Sequence, residues 1–209
     1  MKRYGKVFID SNILIFATEY KISDVFEWID SLYEEVFVHK VVYDELLLNE
    51  VKLKVDNKIE YGWTLFDPYD DSTLSDDMFV IYEMYLKDIK QGFSDLDEKK
   101  IKAGRSLKYT NDLGEMHSLA AAMLLSASII FSNDYDILEV IQDSKLYISV
   151  DEAEDNVLIQ LDSLVDFCIY LVFFEIESKA SVRKFLKTFH RQRIDDFDER
   201  LQQSLTHNI

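Results

Sequence analysis

Apolar residues fall along this chain in short blocks, each closed by polar or acidic residues. Lys6-Val7-Phe8-Ile9-Asp10 reads as a buried strand that ends on an acid. Ser23 is placed to cap a helix running to about Glu35, in which Val25, Trp28, Ile29 and Leu32 recur at helical spacing. Val36-Phe37-Val38 forms a second strand, and a helix from about Val41 carries Asp44 and Glu45 ahead of Leu46-Leu47-Leu48. The middle, roughly 55 to 111, holds an acidic loop (Asp67, Asp70, Asp71, Asp76, Asp77) and a helix from Met78 to Gln91. Asn111 or Asp112 then starts a helix rich in small residues, Ser118-Leu119-Ala120-Ala121-Ala122. Ser128 to Ser132 is a third strand ending in Asn133-Asp134, and a short helix leads to a last strand, Leu146 to Val150.

Alternation of strand and helix implies an α/β fold with a central parallel sheet flanked by helices. From Asp151 onward the pattern reads as helix only. The expected organisation is therefore an α/β domain over 1–150 and a helical extension over 151–209 packed on it. Five Gly and one Pro leave few natural breaks, which disfavours a flexible multi-domain chain.

Composition and charge add to this picture. Hydrophobic residues make up 48%, enough to bury a core without covalent staples. One cysteine, Cys168, sits in the apolar run Phe167 to Leu171, so neither a disulfide framework nor a cysteine-rich zinc site can form, and a reducing cytoplasm is expected. Lys2 and Arg3 lead straight into the first strand, so no secretory leader is expected. The apolar stretch from Leu164 to Phe174 is broken by Asp166 and falls short of the ~20 residues a bilayer needs, so no membrane is expected. The net charge of −17 opposes nucleic acid as a partner if spread evenly. It is not spread evenly: Lys99, Lys100, Lys102, Arg105 and Lys108 form one basic stretch, and residues 179–193 hold six Lys or Arg and no acid. Each stretch reads either as a solvated helix face or as a phosphate-binding patch.

Candidate chemistry rests on acids. Asp10 and Asp134 sit at the ends of separate expected parallel strands, where open α/β sheets place their sites. Glu45 and Glu115 lie near the starts of helices that can face the same crevice. Four converging carboxylates repel one another unless a cation neutralises them, and hard oxygen ligands without His or Cys favour Mg²⁺ or Mn²⁺ over zinc. Each acid also has a plain structural explanation. Asp10-Ser11-Asn12 fits a turn, Asp112 to Glu115 fits a capping box, Glu45 fits an exposed helix face, and Asp134 fits a helix cap.

The same residues carry a family resemblance. Val7-Phe8-Ile9-Asp10-Ser11-Asn12-Ile13-Leu14 resembles the opening strand of PIN-domain nucleases, hydrophobic-Asp-(Thr/Ser)-Asn. Val42-Tyr43-Asp44-Glu45-Leu46 resembles the family's second acid, Gly114-Glu115-Met116-His117 its third, and Ile129-Ile130-Phe131-Ser132-Asn133-Asp134-Tyr135-Asp136 its fourth. The match runs in the family's order over about residues 6 to 150. It implies a PIN-like three-layer fold and metal-dependent hydrolysis of phosphodiester bonds, usually in RNA. It also implies, often, a VapC-like toxin paired with an antitoxin protein, with a homodimer as a further candidate assembly. Asp10 would be the central metal ligand, Glu45 and Glu115 would ligate directly or through water, and Asp134 would complete the set. Asn12 would hold a ligand or phosphate, with Asp112 and Asp136 supporting the ligands from behind. The chain departs from the family in its acidity and in residues 151–209, which have no counterpart there.

RNA contacts are expected first from Lys99, Lys100, Lys102 and Arg105, which closely precede the third acid, and next from Arg183, Lys187 and Arg191. Val182, Phe185, Leu186 and Phe189 form an apolar stripe that fits packing on the body. His117, two residues after Glu115, fits packing better than base catalysis. Rival functions fare worse. A haloacid-dehalogenase-type phosphatase needs an acid where Asn12 stands, and no glycine-rich loop supports a nucleotide-binding site. The rival that survives is an inactive PIN-like module that binds RNA or a protein.

Overall fold

The computed structural model describes residues 2–108, 112–149 and 156–207. The chain runs β1 (Arg3–Ile9), α1 (Ser11–Glu19), α2 (Val25–Leu32), β2 (Tyr33–His39), α3 (Lys40–Glu45), α4 (Asn49–Glu60), β3 (Thr64–Phe66) and α5 (Asp76–Lys102). It continues through α6 (Leu113–Leu125), β4 (Ile129–Phe131), α7 (Tyr135–Ser144), β5 (Tyr147–Ile148), β6 (Val157–Leu158), β7 (Gln160–Asp162), α8 (Leu164–Phe173), α9 (Lys179–Phe189) and α10 (Ile194–His207).

Five strands form one sheet in the order β3-β2-β1-β4-β7, every neighbouring pair parallel. Successive strand residues point to opposite faces, so a strand covered on both sides must be apolar throughout. β1 obeys this: Val7 and Ile9 enter one core and Phe8 the other. Ile129 and Phe131 of β4 join the first core, and Ile130 joins the second. The first core is completed by residues such as Leu14, Ile29, Phe167, Phe185 and Phe197, from α1, α2, α8, α9 and α10. Tyr82, Leu86, Ala120 and Ile137, from α5, α6 and α7, complete the second. The result is a three-layer α/β arrangement in which fully buried side chains such as Phe8 and Phe131 each contribute about 1.5–3 kcal/mol.

Strand order fixes where a site can lie. From β1 the chain builds outward through β2 and β3, then returns to lay β4 on the other flank of β1. The segments leaving β1 and β4 therefore diverge, which opens a crevice at the C-terminal ends of these two strands.

Several expectations need correction. Residues beyond 151 are not helix only: β7 closes the sheet edge against β4, with Ile130 opposite Leu161 and Phe131 opposite Asp162. Residues from α8, α9 and α10 share the first core with β1 and β2, so the C-terminal part is built into the body. The boundary placed between 150 and 151 lies outside the described residues, as do Asn111 and Val150. The strand expected over Leu146 to Val150 does not join the parallel sheet. Tyr147 and Ile148 pair antiparallel with Leu158 and Val157 instead. The helix expected over Met78 to Gln91 is longer, Asp76–Lys102, and β3 was not foreseen. Among the described residues no helix is long and apolar enough to cross a membrane.

Candidate functional site

Asp10 follows the last residue of β1 and is 5% exposed. Its backbone N–H extends the ladder to Phe131 O at 3.0 Å, which ties the strand end to β4. One carboxylate oxygen caps α1, accepting from Ser11 N at 2.7 Å, and the other accepts from Ser132 Oγ at 2.9 Å. The Asn12 amide approaches the second oxygen at 3.4 Å. All these donors are neutral. Burial raises the Asp10 pKa, and these hydrogen bonds only partly offset it.

Glu45 and Glu115 come together through a glycine. Gly114 N donates to Glu45 Oε1 at 3.2 Å. A Cβ at position 114 would sit 2.9 Å from Glu45 Oε2 and 3.1 Å from Val42 Cγ2, so a side chain there would displace the carboxylate. The Glu45 pKa is raised, first by burial and next by the charge of Asp10. For Glu115 the rise reaches about 7, caused by burial and then by Asp10, with Asp112 and Glu45 adding to it.

Asp112 precedes α6 but makes no side-chain cap bond to it, so the capping-box reading of Asp112 and Glu115 does not describe this helix start. Asp112 Oδ1 is buried and accepts no hydrogen bond. Asp134 does cap: its Oδ1 accepts from Asp136 N at 2.9 Å at the start of α7, and Ser132 Oγ accepts from Asp134 N at 3.1 Å. Ser132 thus links the two strand-end acids, donating to one and accepting from the backbone of the other.

One carboxylate oxygen from each of Asp112, Glu115 and Asp134 lies within 4.8 Å of the others. This trio differs from the expected set. Asp112 stands among the converging acids rather than behind them. Asp10 and Glu45 are not in the trio and act on it as neighbouring charges. Asp136, expected behind the ligands, is ion-paired at 2.5 Å with Lys100 and at 3.3 Å with Lys108. Lys108 also contacts Asp134 and lies 3.9 Å from Asp112. Glu115 and Asp134 open onto a cleft of about 330 Å³ that is also lined by Asn12, Phe16, Lys108 and Asn133. Sequence reasoning missed the parts taken by Lys108, Ser132 and Asn133. The position of Ser132-Asn133 directly before Asp134 was the available signal for two of them.

The first basic stretch is not a free cationic surface. Lys100 is 3% exposed and buried against Asp136, so it does not lie where RNA could reach it. Lys99 meets Asp143 at 2.6 Å, Lys102 meets Glu98 at 3.1 Å, and Arg105 holds both carboxylate oxygens of Glu139. His117 is buried and joins Tyr82 at 2.5 Å, whose hydroxyl also meets His39 at 3.1 Å; it belongs to packing, as expected.

The donor set is all oxygen, one buried acceptor is unfilled, and acids raise each other's pKa. That arrangement fits a hard divalent cation, Mg²⁺ or Mn²⁺, better than zinc. No protein-family model matches the chain, and no curated protein matches it.

Proposed function

We propose that this protein is a metal-dependent ribonuclease with a PIN-like fold, working in the crevice between β1 and β4. One observation carries the reading: five acids from four parts of the chain (Asp10 after β1, Glu45 on α3, Asp112 and Glu115 at the start of α6, Asp134 after β4) gather at the topological switch point, three of them within 4.8 Å. In this reading Asp112, Glu115 and Asp134 hold Mg²⁺ or Mn²⁺. Asp10, seated by Ser11 and Ser132, fixes the strand end and adds negative charge. Such an ion supplies countercharge for a phosphodiester and acidifies a water that can attack it. Asn12 and Asn133 line the cleft with amides able to hold phosphate oxygens, and Lys108 brings a cation to the same place. Glu115, whose pKa burial and the neighbouring acids push up to about 7, is the acid whose charge a bound cation would relieve most.

Lys108 also favours a second reading. Its ammonium lies against Asp134 and Asp136 and supplies part of the charge that a metal would supply, as in an inactive PIN-like module that binds RNA or a protein. Cleavage of a fluorescent single-stranded RNA in Mn²⁺ against EDTA separates the two. The ribonuclease reading expects metal-dependent cleavage that Glu115→Gln and Asp134→Asn abolish. No cleavage in Mn²⁺, with no Mn²⁺ bound, favours the inactive module. Whether an antitoxin protein or a second copy joins the chain belongs to the same proposal, and co-purification with neighbouring gene products tests it.

A further inference from the structure

α9 has two unlike faces. Val182, Phe185 and Leu186 are buried in the first core. The opposite face presents Lys179, Arg183, Lys184 and Lys187 along a groove of about 520 Å³, and Arg191 follows just past the helix end. Lys179 and Arg183 share Asp198. Among the described residues Lys184, Lys187 and Arg191 are exposed and have no acidic partner. In a chain of net charge −17 this is a local reversal of sign, and it contrasts with the stretch from Lys99 to Arg105, where each cation faces an acid.

The C-terminal end of α9 borders the carboxylate cleft. His190 Nε2, at the end of α9, meets the Asn133 amide at 3.0 Å, next to Asp134. Phe189 stacks on Phe16, which lines the cleft, with ring centroids 4.7 Å apart. Arg193 lies over the ring of Tyr135 at 4.9 Å, and that ring, beside Asp134, is 39% exposed. Unpaired cations at helical spacing track a phosphate backbone, and exposed aromatic rings stack bases.

We propose that the outward face of α9, through Lys184, Lys187 and Arg191, is the track that leads single-stranded RNA into the carboxylate cleft, with Tyr135 as a stacking platform at its mouth. The assignment rests on the ribonuclease reading of the cleft. It prefers RNA to an acidic protein because the helix that carries these cations ends beside the cleft and beside the exposed ring of Tyr135, which a carboxylate-rich peptide does not need.

The test is fluorescence anisotropy with a labelled 12-nucleotide uridine oligomer and the full chain, in EDTA so that no cleavage occurs, across a salt series. The track predicts that Lys184→Glu/Lys187→Glu/Arg191→Glu weakens binding at least tenfold at low salt. It also lowers the slope of log affinity against log salt by roughly 2, from about 0.7 per lost phosphate contact on single strands. Lys99→Glu/Arg105→Glu changes affinity less than twofold, and Tyr135→Ala weakens binding without changing the salt slope. The track is overturned if the triple variant binds as the wild type does, or if polyglutamate competes as well as RNA. Hydrolysis of bis(p-nitrophenyl) phosphate by the wild type in Mn²⁺, a substrate confined to the cleft, keeps the two proposals apart. Hydrolysis without oligomer binding overturns the track and leaves the cleft reading standing, whereas neither activity overturns both.

Discussion

Asp10 and Asp162 are both buried carboxylates at the C-terminal ends of sheet strands, 5% and 2% exposed, yet the fold treats them in opposite ways. Asp162 accepts from the Arg3 guanidinium at 2.8 Å and the Tyr33 hydroxyl at 2.9 Å. Burial pushes its pKa up to about 6, against the pull of Arg3. Asp10 receives only neutral donors, and its charged neighbours are acids whose pKa values rise in turn. Burial acts alike on both; the sign of the surrounding charge does not. Asp162 is balanced by a guanidinium in direct contact, whereas Asp10 stands beside further acids, and the nearest cation of that group, Lys108, pairs with Asp134 and Asp136 instead.

Asp10→Asn sharpens the contrast most. Loss of this charge beside the cleft is expected to lower RNA cleavage at least about 100-fold while the metal-free melting temperature holds or rises. Cleavage at the wild-type rate would remove Asp10 from the site. The matching change across the sheet is Arg3→Met, which leaves Asp162 buried without its cation. Breaking a buried pair in this way costs about 3–5 kcal/mol, read as a lower midpoint in urea at pH 7, with no such loss for Asp10→Asn.

Glu115→Gln tests the acid group through pH. An unfolded Glu titrates near 4.5 and the folded Glu115 near 7, so the folded chain binds this proton more tightly. Stability without metal therefore falls as pH rises from about 4.5 to about 7 and stays reduced above. A rise of that size corresponds to roughly 3 kcal/mol. Glu115→Gln should raise the melting temperature by several degrees at pH 8 in EDTA and change it little at pH 4.5. An equal effect at both values would mean that neither burial nor the neighbouring acids raise the Glu115 pKa.

Gly114→Ala gives the smallest effect. Its Cβ must displace the Glu45 carboxylate, which lies 2.9 Å from the ideal position. The fold should tolerate this within ~1 kcal/mol, since Gly114 is helical and Ala favours helix. Mn²⁺ affinity should fall by about 10-fold, as for other residues that orient ligands, measured by calorimetry.

The strands that build the crevice were legible because they are buried on both faces: Val7-Phe8-Ile9 and Ile129-Ile130-Phe131 are apolar without interruption. β7 was not, since Gln160-Leu161-Asp162 carries one apolar residue and becomes a strand only by pairing with β4. Leu146 to Ile148 looked like a sheet strand, but β7 takes the edge beside β4 and leaves it to pair with Val157 and Leu158. Among site residues, Asp10 and Asp134 could be placed from the strand ends. Asp112 read as a cap because sequence does not show that its side chain turns from the helix. Lys100 read as surface because its partner, Asp136, is distant in sequence.

The most direct test of the central claim, that the β1–β4 crevice wants a divalent cation, is Mn²⁺ binding to the full chain by titration calorimetry at pH 8. The account predicts saturable binding in the wild type, a melting temperature that rises with Mn²⁺, and loss of both in Asp112→Asn/Asp134→Asn. No heat and no melting shift at millimolar Mn²⁺, or undiminished binding by that double variant, would contradict it.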